Sequence, residues 1–225
     1  MTDTFDSQYY QVVARQSIAE RLLIAARNRI FRDFIAQMRP MPSDRILDVG
    51  VSDVVNDGAN VLERSYAYQH NITACGLGDG KAFKAAYAAA EYVRIEPNVA
   101  LPFADASFEI ATSNAVLEHV GSAAKQEFFV SELCRVARRV FITVPNRYFP
   151  VEHHTALPLL HYNDDLFTIA CDLFDKSEWA ETKNLILMSR RRLGELARPL
   201  GRPAEVGTTG LPLGPFSSNL YLSVR

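Results

Sequence analysis

The sequence predicts an α/β fold, an open and mostly parallel sheet with helices on both faces. Two patterns and one bulk property predict it. Short apolar runs of strand length alternate with stretches of helical periodicity, as in βαβ units. The first run closes on a glycine before a helix, where an open sheet of this kind receives ligands. The 225 residues, 48% apolar and 22% charged, suit one large domain that buries its own core.

Residues 1–16 lack periodicity and are expected as a loose arm. From Ile18 to Met38 apolar residues recur at helical spacing, with Arg21, Arg27, Arg29 and Arg32 between them; Pro40 and Pro42 stop this amphipathic helix. Arg45–Gly50 is the first strand, followed by a helical stretch over Ala59–Tyr68. Asn71–Gly76 is a strand, Lys81–Ala90 a helix, and Glu91–Ile95 and Ser107–Ser113 are further strands. Gly121 and Ser122 open a helix through Ala137, and Arg139–Val144 is a fifth strand ended by Pro145. Beyond it His154–Tyr162 and Asp164–Leu173 read as short helices. Ser189 is placed to cap a helix that Gly201 ends, Pro203–Gly207 suits a sixth strand, and Asn219–Val224 a last one. No linker divides the chain, so 1–225 is expected as a single domain. Within it, 1–40 is the N-terminal arm and helix, and 145–180 a lid or substrate insertion.

The formal net charge of −2, from 24 basic and 26 acidic side chains, gives no field to hold nucleic acid or an anionic membrane. Cys75, Cys134 and Cys171 are far apart and odd in number, without zinc-type spacing. They read as reduced buried thiols, which with the polar N-terminus suggests a cytoplasmic protein. The apolar runs fall well short of the ~20 residues that span a bilayer.

The chemistry concentrates in three places: Leu47-Asp48-Val49-Gly50, the segment LPFADASFEIATSNAVLEHV over 101–120, and FITVPN over 141–146. In this order they resemble the class I S-adenosylmethionine-dependent methyltransferases. The likeness is closest to small bacterial proteins with a methyltransferase domain of the ubiquinone-biosynthesis style. It is good from about Arg45 to Tyr162. The resemblance implies a Rossmann-like, seven-stranded sheet with an antiparallel last strand, and S-adenosylmethionine as cofactor. It implies methyl transfer to an oxygen or nitrogen of a small molecule. It also implies a cofactor pocket at the ends of the first four strands. Asp48 would face the amino-acid part, with Gly50, Val51 and Ser52 under the sulfonium and methionine end. Gly76, Leu77 and Asp79 would lie at the ribose, Glu96 and Asn98 at the adenine, and Ser113 and Asn114 near the transferred methyl.

Three positions depart from the family pattern. The first loop reads Gly50-Val51-Ser52-Asp53-Val54 where closely spaced glycines are usual. Gly76 stands where a ribose-binding carboxylate is expected, the nearest acid being Asp79. Pro97 stands at the adenine position, beside Glu96. These departures leave room for a catalytically inactive binding or scaffold domain. Gly76-Leu77-Gly78-Asp79-Gly80 also mimics a dinucleotide fingerprint, with Glu96 as its carboxylate, although the third glycine is displaced by Lys81.

Of the histidines, His119 and His154 are the candidates for proton transfer, and His153 and His161 lie on the same strand edge. Glu152 and His154 find no third ligand of matching spacing, so no metal is expected. Tyr148, Phe149, Tyr162, Phe167, Phe174 and Trp179 are expected to wall an apolar or ringed acceptor. Neither a GxSxG nucleophile nor a phosphate-binding P-loop is present.

Overall fold

In the computed structural model, which describes residues 18–53, 55 and 58–225, helix α1 (Ile18–Met38) leads into strand β1 (Ile46–Val49). The arm expected over 1–16 lies outside the described residues. All four residues of β1 are buried, as befits a strand covered on both faces. The period of two sorts them. Ile46 packs toward α1 with Ile30, Phe34 and Met38, while Leu47 and Val49 join the core on the opposite face.

The chain continues through α2 (Val61–Ser65), β2 (Ile72–Gly76), α3 (Lys81–Ala86), β3 (Glu91–Arg94) and β4 (Phe108–Asn114). Then come α4 (Ala123–Val136), β5 (Ala137–Pro145), α5 (Asp164–Leu173), α6 (Arg190–Ala197), β6 (Ala204–Thr209) and β7 (Asn219–Val224). The seven strands form one sheet in the order β3-β2-β1-β4-β5-β7-β6. The pairs from β3 to β5 are parallel, and β7 runs antiparallel to both its neighbours. The expected mostly parallel sheet with an antiparallel last strand is the observed one. Strand order reverses between β1 and β4, so the carboxyl ends of these two strands flank a crevice.

Capping residues set the helix ends. The Ser122 hydroxyl accepts from the Lys125 amide, Ser189 from Arg192, and the Asn163 side chain from Leu166. The helices over 59–68 and 81–90 are shorter than their periodicity suggests, five and six residues long. Tyr66 and Tyr87 depart from helical geometry at the ends of α2 and α3. The helix expected over His154–Tyr162 is a single 3₁₀ turn, Leu160–Tyr162, preceded by an isolated bridge between Val151 and Pro158. Pro158 lacks the N–H that a helix there would need. Among the described residues no helix is long and apolar enough to cross a membrane. All three cysteines are free, and burial pushes the Cys75 thiol up to about 12.

Candidate active site

A cavity of about 350 Å³ opens at the carboxyl ends of β1–β4. Gly50, Val51, Gly76, Leu77, Glu96, Asn98 and Asn114 line it, together with His119 and His154. Nine of the thirteen residues singled out from sequence therefore meet in one hollow. Leu23, Ala26, Arg27 and Ile30 of α1 form another wall, and Phe128 and Phe129 of α4 a further one.

Gly50 sits at φ +101°, and a Cβ there would fall 2.2 Å from Val116 Cγ2. Its amide and that of Val51 both donate to the Cys75 carbonyl, at 2.8 and 3.0 Å. The chain thus turns sharply off β1 without a side chain between backbone and cavity. The next residues are held back from the hollow. Ser52 is fully buried and does not line the cavity. Its amide donates to Asn60 Oδ1 at 2.9 Å, and Asn60 Nδ2 donates to its carbonyl at 2.8 Å. Asp53 Oδ1 accepts from the Phe83 amide in the first turn of α3, at 2.9 Å. Two side-chain clamps, Asn60 and Asp53, thus hold the loop that lacks the usual glycines. Val54 lies outside the described residues.

Four sequence-predicted residues stand apart from the cavity. Ser52 is one. The Ser113 hydroxyl donates to the Val49 carbonyl at 2.8 Å, tying β4 to β1. Asp79 accepts from the Lys81 amide at 3.1 Å and pairs with Lys81 Nζ at 2.7 Å on the surface, which lowers its pKa. Asp48 lies on the α1 face of β1, in a smaller side pocket that shares Arg27, Ile30, Gly50, Val51 and Asn114 with the main cavity. There its carboxyl meets that of Glu63. Burial holds Asp48 up to about 7 and Glu63 well above the usual carboxylate range.

The glycine run over 76–80 packs against Tyr92. A Cβ on Gly76 would meet Tyr92 Oη at 2.5 Å, and one on Gly80 would meet Tyr92 Cε1 at 2.4 Å. The Tyr92 hydroxyl donates to the Gly78 carbonyl at 3.0 Å. The glycines accommodate a ring of the protein itself.

At the far wall, His154 Nε2 lies 3.2 Å from His119 Nε2, with the rings nearly perpendicular at 88°. His119 Nδ1 is 2.7 Å from the Asn184 carbonyl, and His154 Nδ1 2.9 Å from Glu152 Oε1. Burial and the charge of His154 press His119 down to about 4. Burial opposes the charged form of His154 too, but Glu152 outweighs it and raises the pKa. His153 lines the cavity, whereas His161 is turned away and bonds the Phe149 carbonyl at 2.8 Å.

None of the six aromatic residues expected to wall the acceptor lines the cavity. Phe167 and Trp179 instead belong to a separate small core with Leu157, Ala170, Cys171 and Leu185. Trp179 stacks behind His154, with ring centroids 4.9 Å apart. Asn60, Asp53, Arg27 and the α4 phenylalanines were not evident in the sequence. Their roles depend on which helix faces the strand ends.

A sequence model of the family described as "Methyltransferase domain" matches residues 58–140. A search of curated proteins finds no significant relative. Several solved structures share the fold. A methyltransferase from Thermotoga maritima, described as a possible histamine N-methyltransferase, is 16% identical with a TM-score of 0.59, covering 92% of this chain and 93% of its own. The magnesium protoporphyrin IX methyltransferase of Synechocystis, solved with bound S-adenosylhomocysteine, is 12% identical with a TM-score of 0.57, covering 98% and 92%. A Haloferax volcanii putative methyltransferase, solved with the Trm112 activator, is 13% identical with a TM-score of 0.59, covering 100% and 98%. The fold is that of the class I S-adenosylmethionine-dependent methyltransferases, and residues 58–140 match the methyltransferase-domain family model.

Proposed function

We propose that the chain transfers the methyl group of S-adenosylmethionine to an oxygen or nitrogen of a small-molecule acceptor. The supporting observation is one continuous cavity that joins Gly50, Gly76 and Glu96 at the strand ends to His119 and His154 at the far wall. Its volume falls in the ~300–1,000 Å³ range of small-ligand sites.

The residues present fit the cofactor. Gly50 keeps its backbone open to a ligand, and Leu77, Ile95 and Val99 offer apolar surface to a flat base. Glu96 is the carboxylate at the nucleoside end, in place of the acids missing at Gly76 and Pro97. The other lining carboxylate, Glu132, already accepts from the Leu101 amide and pairs with Arg135.

The bound cofactor supplies a methyl group on a sulfonium whose leaving group is a neutral thioether. The protein then mainly has to align the acceptor and keep water out. Arg27 and Ile30 of α1 close one side of the cavity, and Phe128 and Phe129 another. The His119–His154 pair takes the acceptor's proton as its oxygen or nitrogen bonds the methyl carbon and the carbon–sulfur bond breaks.

The loop without its glycines favours a second reading, a binding or scaffold domain that no longer catalyses. Thermal unfolding of the full chain with S-adenosylmethionine or S-adenosylhomocysteine separates the two. Ligand at a hundred times its Kd stabilises by about 2.7 kcal/mol, or roughly 5–10 °C for a chain of this size. No shift at millimolar ligand would leave the scaffold. A shift with NADH alone would return the dinucleotide reading.

A further inference from the structure

We infer that Glu118, His119 and His154 form a binding site for one divalent transition-metal ion in the wall of the cavity. Their nearest donor atoms all lie within 4.8 Å of one another. The two Nε2 atoms are 3.2 Å apart, and Glu118 Oε1 is 4.0 Å from His119 Nε2. Tetrahedral metal–ligand bonds of about 2.0–2.2 Å put neighbouring ligand atoms about 3.3–3.6 Å apart, so the nitrogens nearly span a metal already, and the carboxylate closes on it by about 1 Å.

The outer partners aim both rings at that point. Glu152 Oε1 receives His154 Nδ1–H, while its Oε2 accepts from the His154 and Thr155 amides and the Thr155 hydroxyl, at 2.9, 2.6 and 2.8 Å. The Asn184 carbonyl receives His119 Nδ1–H. Carboxylate and carbonyl can only accept, so each Nδ1 carries the hydrogen and each Nε2 a lone pair. This is how metal-ligating histidines are oriented. Two lone pairs facing each other at 3.2 Å need a cation between them, either a proton or a metal.

Glu118 decides for the metal. It is 1% exposed, and neither carboxylate oxygen makes a hydrogen bond of normal geometry. A carboxyl buried this way is costly unless a cation or donor meets it. A proton held between the imidazoles leaves Glu118 unmet, whereas a metal satisfies all three groups at once. Two histidines and one carboxylate suit Zn²⁺, Mn²⁺ or Fe²⁺ better than the all-oxygen ions. His119 and His154 border the cavity, so the remaining coordination positions face it. With both Nε2 atoms on the metal the histidines no longer act as a base; an acceptor hydroxyl bound there instead becomes acidic, releases its proton to solvent through the cavity mouth, and presents an oxygen anion. This last use rests on the methyl-transfer reading; the metal site itself does not.

The test uses the untagged full chain, stripped with a chelator and titrated with Co²⁺ and then Zn²⁺. The expected result is one equivalent of Co²⁺ with visible ligand-field absorption, bleached as Zn²⁺ displaces it. Glu118→Gln and His154→Ala should each weaken Zn²⁺ binding at least tenfold, and Glu152→Gln, through orientation alone, about 10- to 100-fold. His70→Ala, at an exposed histidine elsewhere, should bind as the unaltered chain does. The proposal is overturned if the chain takes up no Co²⁺ or Zn²⁺, if Glu118→Gln binds them undiminished, or if His70→Ala abolishes the signal. The isosteric Glu118→Gln variant guards against loss of fold, checked by its circular dichroism. Metal uptake is read without cofactor and the thermal shift without metal, so either reading can fail alone.

Discussion

Asn60 holds Ser52 from both sides, accepting from its amide at 2.9 Å and donating to its carbonyl at 2.8 Å. Asn60 itself adopts φ +49°, a left-handed conformation that asparagine tolerates. This clamp keeps the loop after β1 out of the cavity where the sequence lacks glycines. Asn60→Ala removes both bonds and strains the backbone; Asn60→Gly removes the bonds but relieves φ. Both variants should lose about 1–3 kcal/mol of stability and bind S-adenosylmethionine at least tenfold more weakly, with Ala the more damaged. Calorimetric titration of the two variants checks this. Full affinity in Asn60→Gly would show that conformation, not clamping, shapes the loop.

The sheet was legible because each strand announces itself locally. Asn219–Val224 appears with the bounds its composition suggests, and Ser122 and Ser189 cap the helices they precede. The candidate site was legible where the backbone dictates it, at Gly50 and at the strand ends that carry Glu96 and Asn114, and in the choice of His119 and His154. Ser113 and Asp79 look like binding residues in sequence, yet local partners claim them: the Val49 carbonyl for one, Lys81 for the other. Glu118, His119 and His154 could not be grouped by spacing. The sequence distance of 35 residues between the two histidines closes only when the segment after β5 folds back over the strand ends.

Gly50 admits no side chain. Gly50→Ala places a Cβ against Val116 and keeps an unfavourable positive φ, so it should destabilise by about 1–3 kcal/mol and abolish the thermal shift with cofactor. Adding Val116→Ala removes the clash but not the backbone strain. The double variant should therefore regain part of the melting temperature, which a double-mutant comparison reads directly. Complete recovery would mean that only sterics, and not φ, demand glycine here.

Stability should fall as pH rises through neutrality because of Asp48 and Glu63. Burial lifts Asp48 to about 7 and Glu63 further, so both hold protons more tightly in the folded chain than in the unfolded one. Their favourable contribution is complete below about pH 4 and is lost as pH climbs through about 7. Arg27 opposes the shift of Asp48 without cancelling it. Glu63→Gln leaves one carboxyl and a hydrogen-bond donor for it. The variant should gain melting temperature relative to the unaltered chain between pH 6 and 8, and little near pH 4. A constant difference across that range would remove the pair from the pH dependence.

On the methyl-transfer reading, Glu96 and Asp79 are the two carboxylates on offer for one role, taking the ribose hydroxyls or the adenine amine. Glu96 borders the cavity, whereas Asp79 lies on the surface paired with Lys81. A hydrogen bond to a charged group contributes about 1.5–3 kcal/mol, a factor of roughly 10 to 150 in affinity. Glu96→Gln should therefore raise the Kd for S-adenosylhomocysteine by at least tenfold, while Asp79→Ala stays within about twofold. The ion pair lost in Asp79→Ala lies in solvent and adds little to stability, so that variant folds normally and serves as the control. If Asp79→Ala were the variant to lose binding, the loop over 76–80 would have to reverse on cofactor entry. Tyr92, packed against Gly76 and Gly80, would then have to leave its place.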